Sequence, residues 1–468
     1  IRGLDMLTYD MNRKDKHFLY ERLYEYIKAD IVSGRLRDGE RLPSKRALSE
    51  HLKISKVTVE NAYAQLLDEG YIFSKERSGF FVSKPIGAPA DRSEKNGIST
   101  ENREPQKFLA DFKTNAIWAE KFPFSVWSKL MRQVISAYGT ELLQPMPSNG
   151  VLLLRSAIAD MLRKFRGMQV NADQIVIGAG TEYLYSLIVQ LLGREHGYAV
   201  ENPGYAKIVN VYHSVGAAVC NVKMDSEGIS MEDLSSGNAS VVHISPAHHF
   251  PSGTVTSQKR RAELYDWLCN NPNRWIIEDD YDCEFRFSGN PIPPIQTICP
   301  DRVIYMNTFS KTIAPSVRIS YMVLPQRLIE SFHRLLGFYS CTVPAFEQYT
   351  LAEFLLQGYF EKHINRMRRH YKLLRNLLIE RLQSGEMGMR SSISEENAGL
   401  HFLLRVNTAY TDAEIVKRCA QKSIRIGCLS EYYRALPAPK SVLVMNYSGI
   451  DPHVISEAVL RLEQALFS

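Results

Sequence analysis

A chain of 468 residues is too long for one ordinary hydrophobic core, so two or three domains are expected. Its 45% hydrophobic and 23% charged residues are the balance of a soluble globular protein, and no apolar run reaches the roughly 18–20 residues of a membrane span. The formal charge of +6 is mild: many basic enzymes bind no nucleic acid, so where the cations sit matters more than their sum.

The chain opens on Ile1, which points to a tagged or trimmed start with Met6 as the native one, and its first residues lack the apolar core of a signal peptide. The seven cysteines (220, 269, 283, 299, 341, 419 and 428) are scattered and odd in number, with no Cys-x-x-Cys pair. That favours a reducing cytoplasm over a disulfide framework, and no metal site is expected. Over residues 18–33, Leu19, Leu23, Ile27 and Ile31 recur at four-residue spacing, the apolar face of a helix that Gly34 ends. Pro43-Ser44 opens a second helix, with Ser44 as its N-cap and Leu48 and Leu52 facing inward. Ser55 caps a third, whose buried stripe is Val59, Ala62, Tyr63 and Leu66 and which stops at Gly70. Two short β-runs, Tyr71–Ser74 and Phe80–Ser83, flank the polar turn Lys75-Glu76-Arg77-Ser78-Gly79. Three helices and a hairpin, over residues 12–83, are the order of a winged helix-turn-helix.

In such a unit the third helix lays its first turn in the major groove. Here that turn is Ser55-Lys56-Val57-Thr58, where Ser55, Lys56 and Thr58 bring hydroxyls and a cation to base edges and phosphates. Ser44, Lys45 and Arg46 at the start of the second helix suit a phosphate, and Lys75 and Arg77 at the hairpin tip suit a wing beside the minor groove. For Lys45-Arg46 alone, a solvated basic face is the better reading; the ordered set is what points to double-stranded promoter DNA. The run Pro43-Ser44-Lys45-Arg46-Ala47-Leu48, then Val59-Glu60-Asn61-Ala62-Tyr63 and Leu66-Leu67-Asp68-Glu69-Gly70-Tyr71, closely resembles the GntR family of winged-helix regulators.

Residues 84–107 are rich in Pro, Gly, Ser, Asn, Lys and Glu and read as a flexible linker. From 108 onward helical patterns alternate with β-rich runs at Gln174–Ile177, Tyr198–Val200, Ser240–Ile244, Trp275–Ile277 and Arg302–Met306, the pattern of an α/β protein with a largely parallel sheet. A smaller αβ lobe is expected from about residue 360.

Four segments follow predicted strands, where ligands bind in α/β sheets. Gly178-Ala179-Gly180-Thr181 opens a helix whose N–H groups can cradle a phosphate. Asn202-Pro203-Gly204-Tyr205 offers an aromatic face. Glu278-Asp279-Asp280-Tyr281 offers a carboxylate for a ring nitrogen and a phenol for a ring hydroxyl. Thr308-Phe309-Ser310-Lys311, with Arg318 seven residues on, offers an amine beside hydroxyls and a guanidinium that grips phosphate with two parallel bonds. Each alone is commonplace: a Gly-Ala-Gly is usually a turn, and an Asp-Asp-Tyr usually a cap. Together they are the parts that pyridoxal 5'-phosphate requires, a Schiff-base lysine above all.

With Phe250-Pro251-Ser252-Gly253 and Ile276–Phe285 added, residues 108–468 resemble a fold-type I, aspartate-aminotransferase-like domain, and the whole chain resembles the MocR family of regulators. The resemblance implies that Lys311 carries pyridoxal phosphate as a Schiff base, Asp279 pairs with the ring nitrogen, Tyr205 stacks on the ring and Tyr281 meets its hydroxyl. Ala179, Gly180, Thr181, Thr308, Ser310 and Arg318 hold the phosphate, and the protein is a head-to-tail homodimer. Two positions depart from the pattern. Phe250 stands where aminotransferases commonly carry an asparagine, and Glu431 falls on the arginine that clamps a substrate carboxylate, with Arg434 as its replacement if the loop shifts. Lys207 and His249 join Glu431 and Arg434 as candidate effector contacts. The expected function is a regulator that senses the cofactor itself or an amine, amino acid or dipeptide reacting with it. An active aminotransferase with a fused DNA-binding module, and a lapsed scaffold kept for dimerisation, are the alternatives.

Overall fold

Helix α1 (Leu19–Val32) buries Leu23, Tyr24, Ile27 and Ile31 against α3 (Lys56–Asp68), which answers with Val59, Ala62, Tyr63 and Leu66. Between them α2 (Lys45–Leu52) adds Leu48. Burying a side chain of this size stabilises by about 1.5–3 kcal/mol, so the three stripes hold the bundle together. Both predicted caps are formed: Ser44 Oγ accepts from the N–H of Ala47 (3.1 Å) and Ser55 Oγ from that of Thr58 (3.0 Å). Strands β1 (Ile72–Lys75) and β2 (Gly79–Val82) form an antiparallel hairpin with Ile72 opposite Val82.

The computed structural model describes residues 7–11, 18–76, 78–83, 108–114, 117, 121–287, 292–397, 399–434 and 437–468. Residues 84–107, read above as a linker, and Arg77 of the wing lie outside the described residues. The chain divides into two compact units, Ile1–Glu104 and Pro105–Ser468.

The second unit starts with β3 (Ala110–Asp111) and the helices α4 (Phe124–Tyr138) and α5 (Leu152–Arg166). An α/β run follows: β4 (Ile175–Gly178), α6 (Thr181–Leu192), β5 (Gly197–Asn202), α7 (Ala206–Ser214), β6 (Ala218–Asp225), β7 (Gly228–Ile229), α8 (Met231–Ser236), β8 (Ala239–Ile244), α9 (Gln258–Cys269), β9 (Trp275–Asp279), β10 (Val303–Thr308), the single turn α10 (Phe309–Thr312) and β11 (Ser320–Val323). These strands make one eight-stranded sheet in the order β4-β11-β10-β9-β8-β5-β6-β7. Pairing is parallel from β10 through β9, β8 and β5 to β6. Strand β11 is antiparallel to both neighbours, so β4 runs the same way as β10. The central strands are apolar on both sides because both faces are covered: Val176, Val241 and Ile277 enter one core, Val242, Ile276 and Val303 another.

The smaller lobe is entered by the helix Tyr359–Leu382. Its antiparallel sheet is built from β12 (Ser391–Ser394), β13 (His401–Val406), β15 (Gly427–Cys428) and β16 (Val442–Asn446). The strand β14 (Ile424–Arg425) pairs in parallel with β3. The lobe therefore also takes in residues 109–112, far upstream of the expected boundary near 360: the N–H of Phe112 donates to Arg425 O (2.8 Å) and that of Asn446 to Phe112 O (3.0 Å).

Candidate functional site

Strands β4, β5, β9 and β10 point the same way, so the segments after them meet on one edge of the sheet. A cavity of about 760 Å³ lies there, between that edge and the small lobe. Every residue expected to hold a cofactor lines it except Ala179, whose N–H donates to Thr342 Oγ1 (2.9 Å).

Lys311 sits in α10, directly after β10. Thr308 Oγ1 fixes that turn by accepting from the N–H of Ser310 (3.1 Å), and is itself held by the hydroxyl of Ser320 (2.8 Å). Burial lowers the pKa of the Lys311 amine; Asp282 opposes this and the positive charge of Lys207 adds to it. A neutral amine is the form that attacks an aldehyde.

Asp279 is the buried last residue of β9. Its Oδ2 accepts from the hydroxyl of Tyr185 (2.5 Å) and lies 3.5 Å from Nε2 of His243, whose Nδ1 meets the Tyr212 hydroxyl (2.6 Å). Its Oδ1 is buried with no partner among the described residues. Sequence reading missed Tyr185 and His243. Tyr185 was findable, since it lies one helical turn after Thr181 on the same face of α6.

At the start of α6, Gly180 has φ +95°, and a Cβ there would fall 2.0 Å from the guanidinium of Arg318. Only glycine lets that guanidinium lie across the helix start. Gly180 provides no side-chain cap for the N–H groups that start α6, of which that of Glu182 is engaged by its own carboxylate. Arg318 holds a left-handed φ of +53° and donates to Glu182 Oε2 (2.8 Å) and Ala179 O (3.3 Å). Burial works against ionising Glu182, but hydrogen bonds from Arg318 and Lys207 hold its pKa down at about 2. The hydroxyl of Ser310 is buried without a partner among the described residues. Backbone N–H groups, a spare hydroxyl and a guanidinium make a dianion cradle.

Tyr205 stands at the mouth, edge-on to Phe250 at 6.1 Å. Phe250 packs edge-on against His401 and Tyr432 (both 5.1 Å) and itself offers no hydrogen-bond donor. Burial keeps the Tyr281 phenol protonated, and its hydroxyl is 3.3 Å from Nδ1 of His248. Lys207, His249 and Arg434 line the cavity, whereas Glu431 does not. Glu431 caps a short turn, accepting from the N–H of Cys428 (2.9 Å), and pairs with Lys113 (2.6 Å). Arg434 is fixed by its backbone, its N–H donating to Asn202 Oδ1 (3.0 Å) and its carbonyl accepting from Asn202 Nδ2 (2.7 Å). Lys113 and Arg425 also line the cavity. They arrive through the β3–β14 pairing, which no local sequence signal reveals. Glu201 is a further lining residue: its Oε2 accepts from the N–H of Ser245 (3.0 Å) and lies 3.5 Å from His249 Nε2.

In the first unit, Arg46 pairs with Glu50 (2.9 Å), Lys56 with Glu60 (3.6 Å), and the Lys45 ammonium sits 5.2 Å over the ring of Phe80. The Thr58 hydroxyl bonds that of Ser55 (2.8 Å), and Lys75 is exposed at the end of β1. Among the described residues no helix is long and apolar enough to cross a membrane, and no group of three or more His, Cys, Asp or Glu is placed to hold a metal ion.

Residues 19–82 match the model of the bacterial regulatory proteins of the gntR family. Over 98% of this chain and 99% of the relative, the sequence is 36% identical to the HTH-type transcriptional regulator YdeL of Bacillus subtilis (strain 168). It is 30% identical to the probable rhizopine catabolism regulatory protein MocR of Rhizobium meliloti, over 96% of this chain and 94% of the relative. Kynurenine aminotransferase of Pyrococcus horikoshii, in a crystal structure with PMP, superposes with a TM-score of 0.68 at 24% identity, over 77% of this chain and 91% of the enzyme. These findings define a transcriptional regulator in which a gntR-type DNA-binding domain is joined to an aminotransferase-like domain. The chain belongs to the MocR family.

Proposed function

We propose that the aminotransferase-like domain holds pyridoxal 5'-phosphate through Lys311, and that its occupancy, alone or with an amine, amino acid or dipeptide reacting with it, sets the affinity of the winged helix for promoter DNA. The observation that carries this reading is one cavity in which the half-buried amine of Lys311, the unpartnered Oδ1 of Asp279 and the Gly180–Ser310–Arg318 cradle occur together. The residues fit the cofactor: an orphaned carboxylate oxygen suits a ring N–H, and a guanidinium lying across a helix start that carries no Cβ suits a phosphate. When bound, the cofactor supplies an aldehyde that condenses with amines and a ring that draws electrons.

The chain's own part is to bind and orient. Asp279, braced by Tyr185 and His243, holds a proton at the ring nitrogen. Tyr281 donates to the ring hydroxyl, and Tyr205 covers one ring face. Thr181, Thr308, Ser310 and Arg318, with the backbone of Ala179 and Gly180, hold the phosphate. Arg434 and Lys207 attract a carboxylate on the effector. The reader ends at Ser83 and is joined through residues 84–107 to the domain beginning at 108, in a head-to-tail homodimer. The effector must favour one domain arrangement over another for DNA affinity to change.

The test is spectroscopic. Protein incubated with pyridoxal phosphate is expected to turn yellow, and Lys311→Ala to lack the lysine-linked absorbance band. A colourless wild type would leave the scaffold alternative. The presence of Arg434 and Arg425 in the cavity keeps an enzymatic reading alive beside this one; steady turnover of an amino acid with a 2-oxo acid would favour it.

A further inference from the structure

Helix α3 has two faces. Val59, Ala62, Tyr63 and Leu66 are buried, and the opposite face carries Val57, Glu60, Asn61 and Ala64, spaced i, i+3, i+4 and i+7. Val57 is 61% exposed. One exposed valine means little on an ordinary surface. Here it is the second residue of the helix, in the turn that enters the groove. The helix has one cation, Lys56, against Glu60 and Asp68, and Lys56 and Glu60 are paired at 3.6 Å. Such a face does not grip phosphates; cations for that purpose lie off the helix, at Arg41, Lys45, Lys53 and Lys75. What it presents is a methyl-rich knob and a carboxylate acceptor one turn apart.

In the major groove thymine shows a 5-methyl group and cytosine a 4-amino donor, whereas guanine shows only acceptors on its N7 and O6 edge. A valine has no hydrogen bond to offer and matches the methyl; a carboxylate matches the amino group and is repelled by N7 and O6. We propose that Val57 selects a thymine by its 5-methyl group and Glu60 a neighbouring cytosine by its 4-amino group in each operator half-site. Lys56 keeps the Glu60 side chain in place through their i, i+4 pair. This rests on α3 being the recognition helix.

The test uses the full chain and duplexes selected from a random pool. In the selected operator each thymine is replaced singly by deoxyuridine, which removes only the methyl. One replacement per half-site is expected to weaken wild-type binding about fourfold, the effect of burying one methyl-sized apolar group. Val57→Ala is expected to bind both duplexes alike, with an unchanged salt dependence because no phosphate contact is lost. Glu60→Gln is expected to move the preferred base at its position from cytosine to adenine, since a carboxamide bonds adenine through two groups. Operators indifferent to every deoxyuridine, or a Val57→Ala protein that still discriminates thymine from deoxyuridine, would overturn this inference while leaving α3 as the reader. A pool that yields no preferred sequence would overturn both.

Discussion

Single residues around the cavity are held in protonation states that water would not give them. Burial pushes the Glu201 carboxyl up to about 8; the N–H of Ser245 opposes this and Asp279 adds to it. Its neighbour His249 is held down at about 3, again by burial, and so stays neutral across the same range. An acid with a raised folded-state pKa contributes stability that is complete below its ordinary value of 4.5 and is lost as pH rises through about 8. Glu201→Gln keeps an acceptor for Ser245 but cannot ionise. In thermal melts of the cofactor-free protein, the wild type is therefore expected to lose stability relative to Glu201→Gln from pH 4.5 to 8 and to run parallel above that. Parallel curves throughout would show that Glu201 is solvated in the folded state. Lys311 was legible because its hydroxyl neighbours and Arg318 lie in one short segment. Glu201 was not, because a glutamate ending a strand signals nothing until its burial is known.

At the scale of elements, what the sequence revealed was local. The helices α1, α2 and α3 were readable from apolar spacing and from Ser44 and Ser55, whose hydroxyls do form the caps. Strands β4, β5, β8, β9 and β10 were readable as apolar runs. Strand β6 was not, because it lies near the sheet edge and only one of its residues is buried; nor was β11, four residues long and packed tightly after the Arg318 turn. The β3–β14 pair, joining segments more than 300 residues apart, leaves no trace in composition or period, and with it Lys113 and Arg425 were missed. The turn from β4 into α6 carries a prediction of its own. Gly180→Ala puts a Cβ on the Arg318 guanidinium and strains a residue at φ +95°. Cofactor affinity, followed by absorbance titration, is expected to fall at least about tenfold while the melting curve keeps a single folded transition. An unchanged affinity would mean that the phosphate is held elsewhere.

Across the whole molecule, the two units were legible as two patterns, one of three short helices and a hairpin, the other an α/β sheet with a half-buried lysine at its strand ends. The small lobe's share of the cavity was only half legible. Arg434 was foreseen as a replacement for the carboxylate clamp, but Glu431 was expected to face the ligand, and the structure instead ties it to Lys113 and the Cys428 turn. With Glu431 outside the cavity, an anion there meets Arg434, together with Arg425 and Lys207, whose charges are shared with Asp111 (3.2 Å) and Glu182 (3.1 Å). The most direct measurement of the account is a DNA-binding titration of the full chain at fixed salt, with and without pyridoxal phosphate, for wild type and Lys311→Ala. The account predicts that the cofactor shifts wild-type affinity for the selected operator and leaves the Lys311→Ala protein unmoved. A wild type that takes up the cofactor and binds DNA identically with and without it, at every effector amine tried, would contradict it.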